Sequence, residues 1–208
     1  MSHIGVDESG KGDYFGYLVV AAVYVDDTME KKLKELKVKD SKLLIDSTAL
    51  KLAKEIKKIC KYDIVKISPE KYNSLYKKFN NLNTILAWAF ARSIENLLST
   101  PLKPEFIITD KFGDEKFLED ALMEKGRKVK ILQMIKAESD IAVAAASVLA
   151  RAEFLQTLRA LSREIGYVLP KGATHVEEAA KHIIQNYGIE GLSAIAKMHF
   201  RTTKKILK

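Results

Sequence analysis

An α/β domain with a helical C-terminal part is what the 208-residue sequence predicts. Three observations carry it. Short apolar or alternating runs at residues 3–25, 62–68, 106–110 and 128–134 read as strands. Between them stand segments with apolar residues three and four apart, as helices covering a sheet require. From about residue 165 onward only helical and irregular patterning follows. No internal repeat, low-complexity segment or linker divides the chain, so residues 1–208 are expected to form a single domain.

In order, residues 3–25 read as two strands, the second from Phe15 to Val25, joined at a turn containing Gly10, Gly12 and Gly16. Thr28 to Leu36 and Ser47 to Ile59 follow helical spacing, with Lys and Glu on the solvated faces. Between them, residues 38–43 are polar and too few for an element of their own. Tyr62 to Ser68 alternates as a strand does, and Pro69 suits the first turn of a helix running to about Phe79. A strong helix is expected from Thr84 to Leu98, and the spacing of Ile85, Leu86, Ala89, Ile94 and Leu97 places Trp88 with them in the core. Asn80, Asn81 and Asn83 either cap that helix or offer amides to a nucleic-acid backbone.

Pro101 and Pro104 end the helix, and Phe106 to Asp110 reads as a buried parallel strand. Its terminal Asp110 mirrors Asp7. Were the two strands neighbours, about 4.8 Å apart, their carboxylates would meet at one edge. A helix from Asp114 to Lys125 stopped by Gly126, a strand from Lys128 to Met134 and a long helix from Ile141 to Ile165 follow. The small-residue run Ala142 to Ser147 permits close packing of that last helix on the sheet. The tail carries a helix from about Val176 to Tyr187 and then residues 196–200.

Composition narrows the function classes. Lys and Arg number 35 against 27 Asp and Glu, giving +8 and a pI near 9.3. Such a surplus suits nucleic acid or an anionic membrane, although lysine-rich surfaces also occur in proteins that bind neither. A single cysteine, Cys60, excludes an intramolecular disulfide and a cysteine-rich zinc cage. The longest purely apolar run, Leu18 to Val25, is too short to cross a bilayer, and no secretory signal is evident. A cytoplasmic location is expected.

The chemistry concentrates where the first strand ends in Asp7 and Glu8. Adjacent carboxylates in a low-dielectric setting resist ionising together, and a hard divalent cation is the usual compensation. The alternative is a surface hairpin whose acids are merely solvated. Glycines beside such a pair let the backbone approach a bulky anionic polymer closely.

Seven segments, in order, resemble the type 2 ribonucleases H, and among them the HIII type. They are residues 5–16; 38–42; Tyr72-Asn73 with 81–83 and 86–88; Asp110; 136–138 with 143–151; 169–173; and 196–200. The resemblance implies a ribonuclease H-like fold, a five-stranded mixed sheet flanked by helices. It also implies hydrolysis of the RNA strand of an RNA–DNA hybrid, leaving 3′-hydroxyl and 5′-phosphate ends, with two Mg²⁺ or Mn²⁺ ions. Asp7, Glu8 and Asp110 match three of the family's metal-binding acids, and Glu138 matches the fourth, with Asp140 two residues away as the competing position. Gly10-Lys11-Gly12 matches the turn whose backbone contacts ribose 2′-hydroxyls, with Lys where Arg or Thr is usual. Lys42, Asn81, Asn83, Lys171 and Gly172 are candidates for phosphate or sugar contacts, solvated surface positions being the alternative for the lysines.

Two departures bear on substrate. Ala173 stands where the HII type has a tyrosine that recognises an RNA-to-DNA junction, so excision of single ribonucleotides is disfavoured. HIII-type members typically carry an extra N-terminal substrate-binding domain, whereas this chain begins at the first catalytic strand, which leaves affinity to the catalytic domain itself. Two ions would activate water and stabilise the leaving oxygen, with Asp7 or Asp110 expected to bridge them. His199 is expected to serve packing or a phosphate contact rather than general base catalysis. An HII-like junction enzyme and a catalytically silent hybrid-binding module are the competing readings, the latter opposed by retention of all four acids. A monomer is expected.

Overall fold

The first strand, β1 (His3–Ser9), becomes the middle of the sheet because both of its faces are apolar until Asp7. It pairs antiparallel with β2 (Leu18–Val25) and parallel with β4 (Phe106–Asp110). β3 (Lys61–Ile67) flanks β2 and β5 (Lys130–Met134) flanks β4, giving the five-stranded mixed order β3-β2-β1-β4-β5. The computed structural model describes residues 1–39, 41 and 44–207.

The period of two along β2 sorts the core into two layers. Val19, Ala21 and Val23 face one cluster, and Leu18, Val20 and Ala22 the other. On the first side lie α1 (Asp27–Glu35), α2 (Asp46–Ile59), α6 (Ile141–Glu164) and α7 (Glu177–Ile195). On the second lie α3 (Pro69–Phe79), α4 (Leu82–Leu98) and α5 (Glu115–Ala121).

α6 lies on β1 as the small-residue run implied, and the reason is visible at Gly5. A Cβ there would stand 2.1 Å from the Val143 nitrogen and 2.2 Å from the Ala142 carbonyl carbon, so only glycine allows the approach. By length and composition α6 is apolar enough to cross a membrane, but most of it is buried in the core.

Several expectations need correction. β2 begins at Leu18, not Phe15; the chain leaves the sheet at Gly16 (φ 87°), and Phe15 instead bridges to Ala196. Trp88 is 41% exposed, not core, because Ile85, Leu86, Ala89 and Phe90 form the buried stripe and Trp88 falls at its margin, with Arg92 5.9 Å over the ring. α4 starts two residues early, at Leu82, because the Asn81 side chain caps it by accepting from the Asn83 N–H at 2.8 Å.

α5 stops at Ala121 rather than Lys125, since Leu122 turns to ψ 136°. The next turn, Gly126–Lys128, is held by Glu95, which accepts from the Lys125 and Gly126 N–H groups at 2.9 and 3.0 Å. β5 consequently begins two residues late, at Lys130. α7 runs past Tyr187 to Ile195 through a kink at Gly188 (φ 71°, ψ −175°). A last helix, α8 (Arg201–Ile206), was not legible in the sequence pattern.

Candidate active site

β1 and β4 run parallel with Val6 opposite Thr109, so the next residues, Asp7 and Asp110, stand side by side where that pairing ends, each still paired on its other side, with Ala21 and Met134. A cavity of about 480 Å³ opens at this edge. Glu8, Asp110, Gly10, Lys11 and Gly12 line it together with Asp13, Ser41, Ser147, Arg151 and Lys171. Asp7 is not among the lining residues; it is half-buried, with its Oδ1 accepting from the Glu8 N–H at 2.8 Å.

Burial, and after it the charge of Glu8, push the Asp7 carboxyl up to about 8; Asp110 adds to the rise, while the Ser147 hydroxyl and the Glu8 N–H oppose it. Crowded oxygen donors of this kind are what hard divalent cations select, so the donor chemistry of Asp7, Glu8 and Asp110 fits such an ion.

The fourth acid is placed differently. Glu138 lies in a 3₁₀ turn, Ala137–Ser139, entered through Lys136 in the left-handed region (φ 58°). The turn touches the site, since the Ala137 N–H donates to Asp110 Oδ1 at 3.3 Å. The Glu138 side chain, however, lines an adjoining depression with Val38, Lys39, Lys136 and Ser139 rather than the cavity of Glu8 and Asp110. Among the described residues no three acids, histidines or cysteines are drawn into one metal-binding group, so the four acids expected to cluster do not do so here.

Asp140 is occupied elsewhere. Its Oδ1 accepts from the Ala142 and Val143 N–H groups at 2.9 and 3.1 Å as the N-cap of α6, and its Oδ2 lies 2.9 Å from His3 Nε2. Burial raises its pKa, but the His3 ring and those two N–H groups outweigh that and hold it below the ordinary carboxylate range. The competing position for the fourth acid is thereby a structural cap.

The substrate candidates divide. In the glycine turn, Gly10 has φ 86° and a Cβ there would stand 2.1 Å from the Tyr17 oxygen, whereas at Gly12 the same atom would meet only open space. Lys11 Nζ lies 3.4 Å from Glu8 Oε1, so its charge is directed to the acids. Lys171 pairs with Asp46 at 2.6 Å on the cavity rim, and Asp46 also holds Arg151 at 2.8 Å. The Gly172 N–H donates to Asp13 Oδ1 at 2.6 Å, joining its loop to the glycine turn. Asn81 is a helix cap, and Asn83 packs its amide against Gly113; neither lines the cavity. Lys42 lies outside the described residues.

His199 is a packing residue. Its ring stacks on Tyr76 at 4.4 Å and lies against Tyr72 and Phe200, and burial, reinforced by the charge of Lys197, lowers it to about 4. Three side chains near the site went without a role in the sequence reading. Ser41 and Ser147 share a 2.8 Å hydrogen bond at the cavity wall, and Arg151 donates to the Ser41 carbonyl. Both serines and Arg151 lie within quoted motif segments, but only the fold brings these distant segments together.

A mixed sheet in this strand order, with acids where its two central parallel strands end, puts the chain in the ribonuclease H-like class. Comparison with known proteins narrows the class. The chain belongs to the ribonuclease HII family, whose model matches residues 4–203. It is 48% identical to a ribonuclease HIII of Protochlamydia amoebophila over 99% of this chain and 68% of that protein. It is 46% identical to a ribonuclease HIII of Chlamydia felis over 98% of this chain and 69% of that protein. The crystal structure of Bst-RNase HIII in complex with Mn²⁺ superposes with a TM-score of 0.92 at 38% identity, covering all of this chain and 69% of that one.

Proposed function

We propose that this protein is a ribonuclease of the HIII type that hydrolyses the RNA strand of RNA–DNA hybrids to 5′-phosphate and 3′-hydroxyl ends. The observation that carries the reading is the convergence of Glu8, Asp110 and the Gly10–Gly12 turn on one cavity, with Asp7 bonded to the Glu8 N–H beside it. Asp7, Glu8 and Asp110 would hold Mg²⁺ or Mn²⁺, and Glu138, on the turn whose Ala137 N–H donates to Asp110, would be the fourth ligand by its match to the family although it lines a different depression. When bound, such ions supply a water nucleophile at neutral pH and neutralise charge at the phosphate.

The chain's own residues do the rest. The Gly10-Lys11-Gly12 backbone can meet a 2′-hydroxyl, the group that separates RNA from DNA, without a Cβ intervening at either glycine. Lys11, paired with Glu8, moderates the acid cluster rather than reaching outward. Lys171, half exposed at the rim, is the phosphate contact that would position the duplex without reading sequence, while Arg151 braces the cavity wall through Asp46 and the Ser41 carbonyl. Incubation with labelled RNA–DNA hybrid, RNA duplex and DNA duplex, with and without Mg²⁺, is the direct test. Cutting of the hybrid alone, and only with metal, is expected; cutting of DNA duplex, or no cutting of any substrate, would reject the reading.

Beyond Lys171 and Leu155 the cavity continues into a groove of about 720 Å³ bordered by Arg159 and Arg163, one helical turn apart on α6. Neither arginine is ion-paired among the described residues, so both are available to phosphates. Replacing both with alanine is expected to weaken hybrid binding and to flatten the dependence of log K on log salt by about 2 in slope, one counterion per lost contact. A slope equal to wild type, measured by fluorescence anisotropy over a salt series, would remove this groove from the duplex path.

Substrate length follows from Ala173. It carries no ring or hydroxyl to mark a junction, so recognition falls to several 2′-hydroxyls read in succession. Hybrids with runs of about four or more ribonucleotides should be cut efficiently, on the scale of a few adjacent sugar contacts. A single ribonucleotide in DNA duplex should be cut poorly. Equal rates at matched salt would favour the HII-like junction reading.

A further inference from the structure

We propose that Lys197 is a positioning residue for ribose recognition, holding the glycine turn and, through Asp13, the Lys171–Gly172 loop in the placement from which both face the hybrid. The inference rests on the hybrid-cleaving function proposed above.

Lys197 is fully buried, which for an ammonium group costs several kcal/mol unless it is well partnered. Its Nζ donates to the Asp13 carbonyl at 2.8 Å and the Gly16 carbonyl at 2.7 Å, two acceptors of the same turn. Its own N–H donates to the Tyr14 carbonyl at 2.8 Å. One residue therefore pins three carbonyls between Asp13 and Gly16. An apolar side chain would fill the space but leave two inward-pointing carbonyls unpaired.

Asp13 carries this anchoring across to the second loop. Its carboxylate accepts from the Gly172 N–H, while the Tyr14 N–H donates to the Gly172 carbonyl at 2.8 Å. The anchor itself is rigid, because Asn73 on α3 clamps its backbone on both sides. The Asn73 Nδ2 donates to the Ser193 and Ala196 carbonyls, each at 2.9 Å, and its Oδ1 accepts from the Met198 N–H at 2.9 Å. The Tyr72 ring lies 5.9 Å from the ammonium. Burial lowers the Lys197 pKa to about 7, as a fully enclosed ammonium should be lowered. These bonds of Lys197 and Asp13 run to residues 13–16 and 172 and none goes to Asp7, Glu8 or Asp110, so their influence should fall on substrate placement rather than on the metal-binding acids.

The test is the steady-state kinetics of K197M and K197Q on an RNA–DNA hybrid at saturating Mg²⁺, with active enzyme titrated and D13A combined with each. K197M is expected to raise KM about tenfold with kcat within about twofold of wild type, the loss of charge-assisted bonds that set placement. K197Q, which can still donate to one carbonyl, should recover part of the KM. The D13A change should add little to K197M, since both act through one link. Unchanged KM, or a lowered kcat at unchanged KM, would overturn the proposal. So would failure of both single variants to fold, which would make Lys197 a determinant of the whole fold. Wild type is the control: if it leaves the hybrid uncut, the functional reading fails, whereas an active wild type with an indifferent K197M sinks only the role of Lys197.

Discussion

Asp7→Asn and Asp110→Asn are each expected to lower hybrid cleavage by several orders of magnitude while leaving the fold intact. Each removes one negative ligand where charge balance at two divalent ions needs every carboxylate. The fold should survive because neither side chain supports the core. Asp7 is held partly buried beside Glu8 and Asp110, and burial first, then the charge of Glu8, raises its pKa. The amide at position 7 should therefore make the metal-free protein more stable than wild type at neutral pH, by about a few degrees in melting temperature. Activity and metal-free stability would then move in opposite directions. Near-normal turnover of either variant at saturating Mg²⁺ would remove the two-metal proposal. A metal-free Asp7→Asn protein that melts below wild type would show that the carboxylates do not oppose one another.

Glu138→Gln and Asp140→Asn should separate cleanly, although the residues are two apart. The first is expected to cost about a hundredfold or more in kcat, as a lost metal ligand does, with little change in melting temperature. The second should keep most of its turnover per folded molecule and lose stability instead, about 1–2 kcal/mol for a weakened helix cap and a lost His3 pairing. The pH dependence identifies the cause. The Asp140 carboxyl is held below its ordinary range, so its contribution is present above about pH 4 and is lost as pH falls through the depressed value. The stability gap between wild type and Asp140→Asn should close in acid accordingly. The opposite ranking in kcat would transfer the fourth ligand to Asp140. The placement of Glu138 makes this comparison informative, because it lines a different depression from the cavity lined by Glu8 and Asp110.

Much of the fold was legible because its patterns are local. The period-two apolarity of β2, the proline that opens α3 and the alanine run of α6 each state their own conformation. Asp7 and Asp110 could be paired from sequence because both end apolar runs of strand length, and parallel register then brings them together. Where the pattern misled, the deciding contacts were distant in the chain. Trp88 belongs to an apolar helix, yet which flank of that helix meets the sheet is set by how α4 packs, and Trp88 fell outside it. The early start of β2 failed because Phe15 is claimed by Ala196, a partner 181 residues away.

Residue identity and spacing alone determined the class of chemistry, since acids, glycines and basic residues appear in recognisable order along the chain. Tertiary structure alone decided which of those residues act together. It made Asp140 a cap and Asn81 another, turned Lys11 toward Glu8, and moved His199 into an aromatic stack. It also seated Lys197 beneath a turn 181 residues earlier in the chain. The physical reason is the same throughout. A side chain's chemistry is intrinsic, but its partner is whichever group packing leaves within about 3 Å, and hydrogen bonds and ion pairs decay too steeply with distance for sequence order to stand in for that.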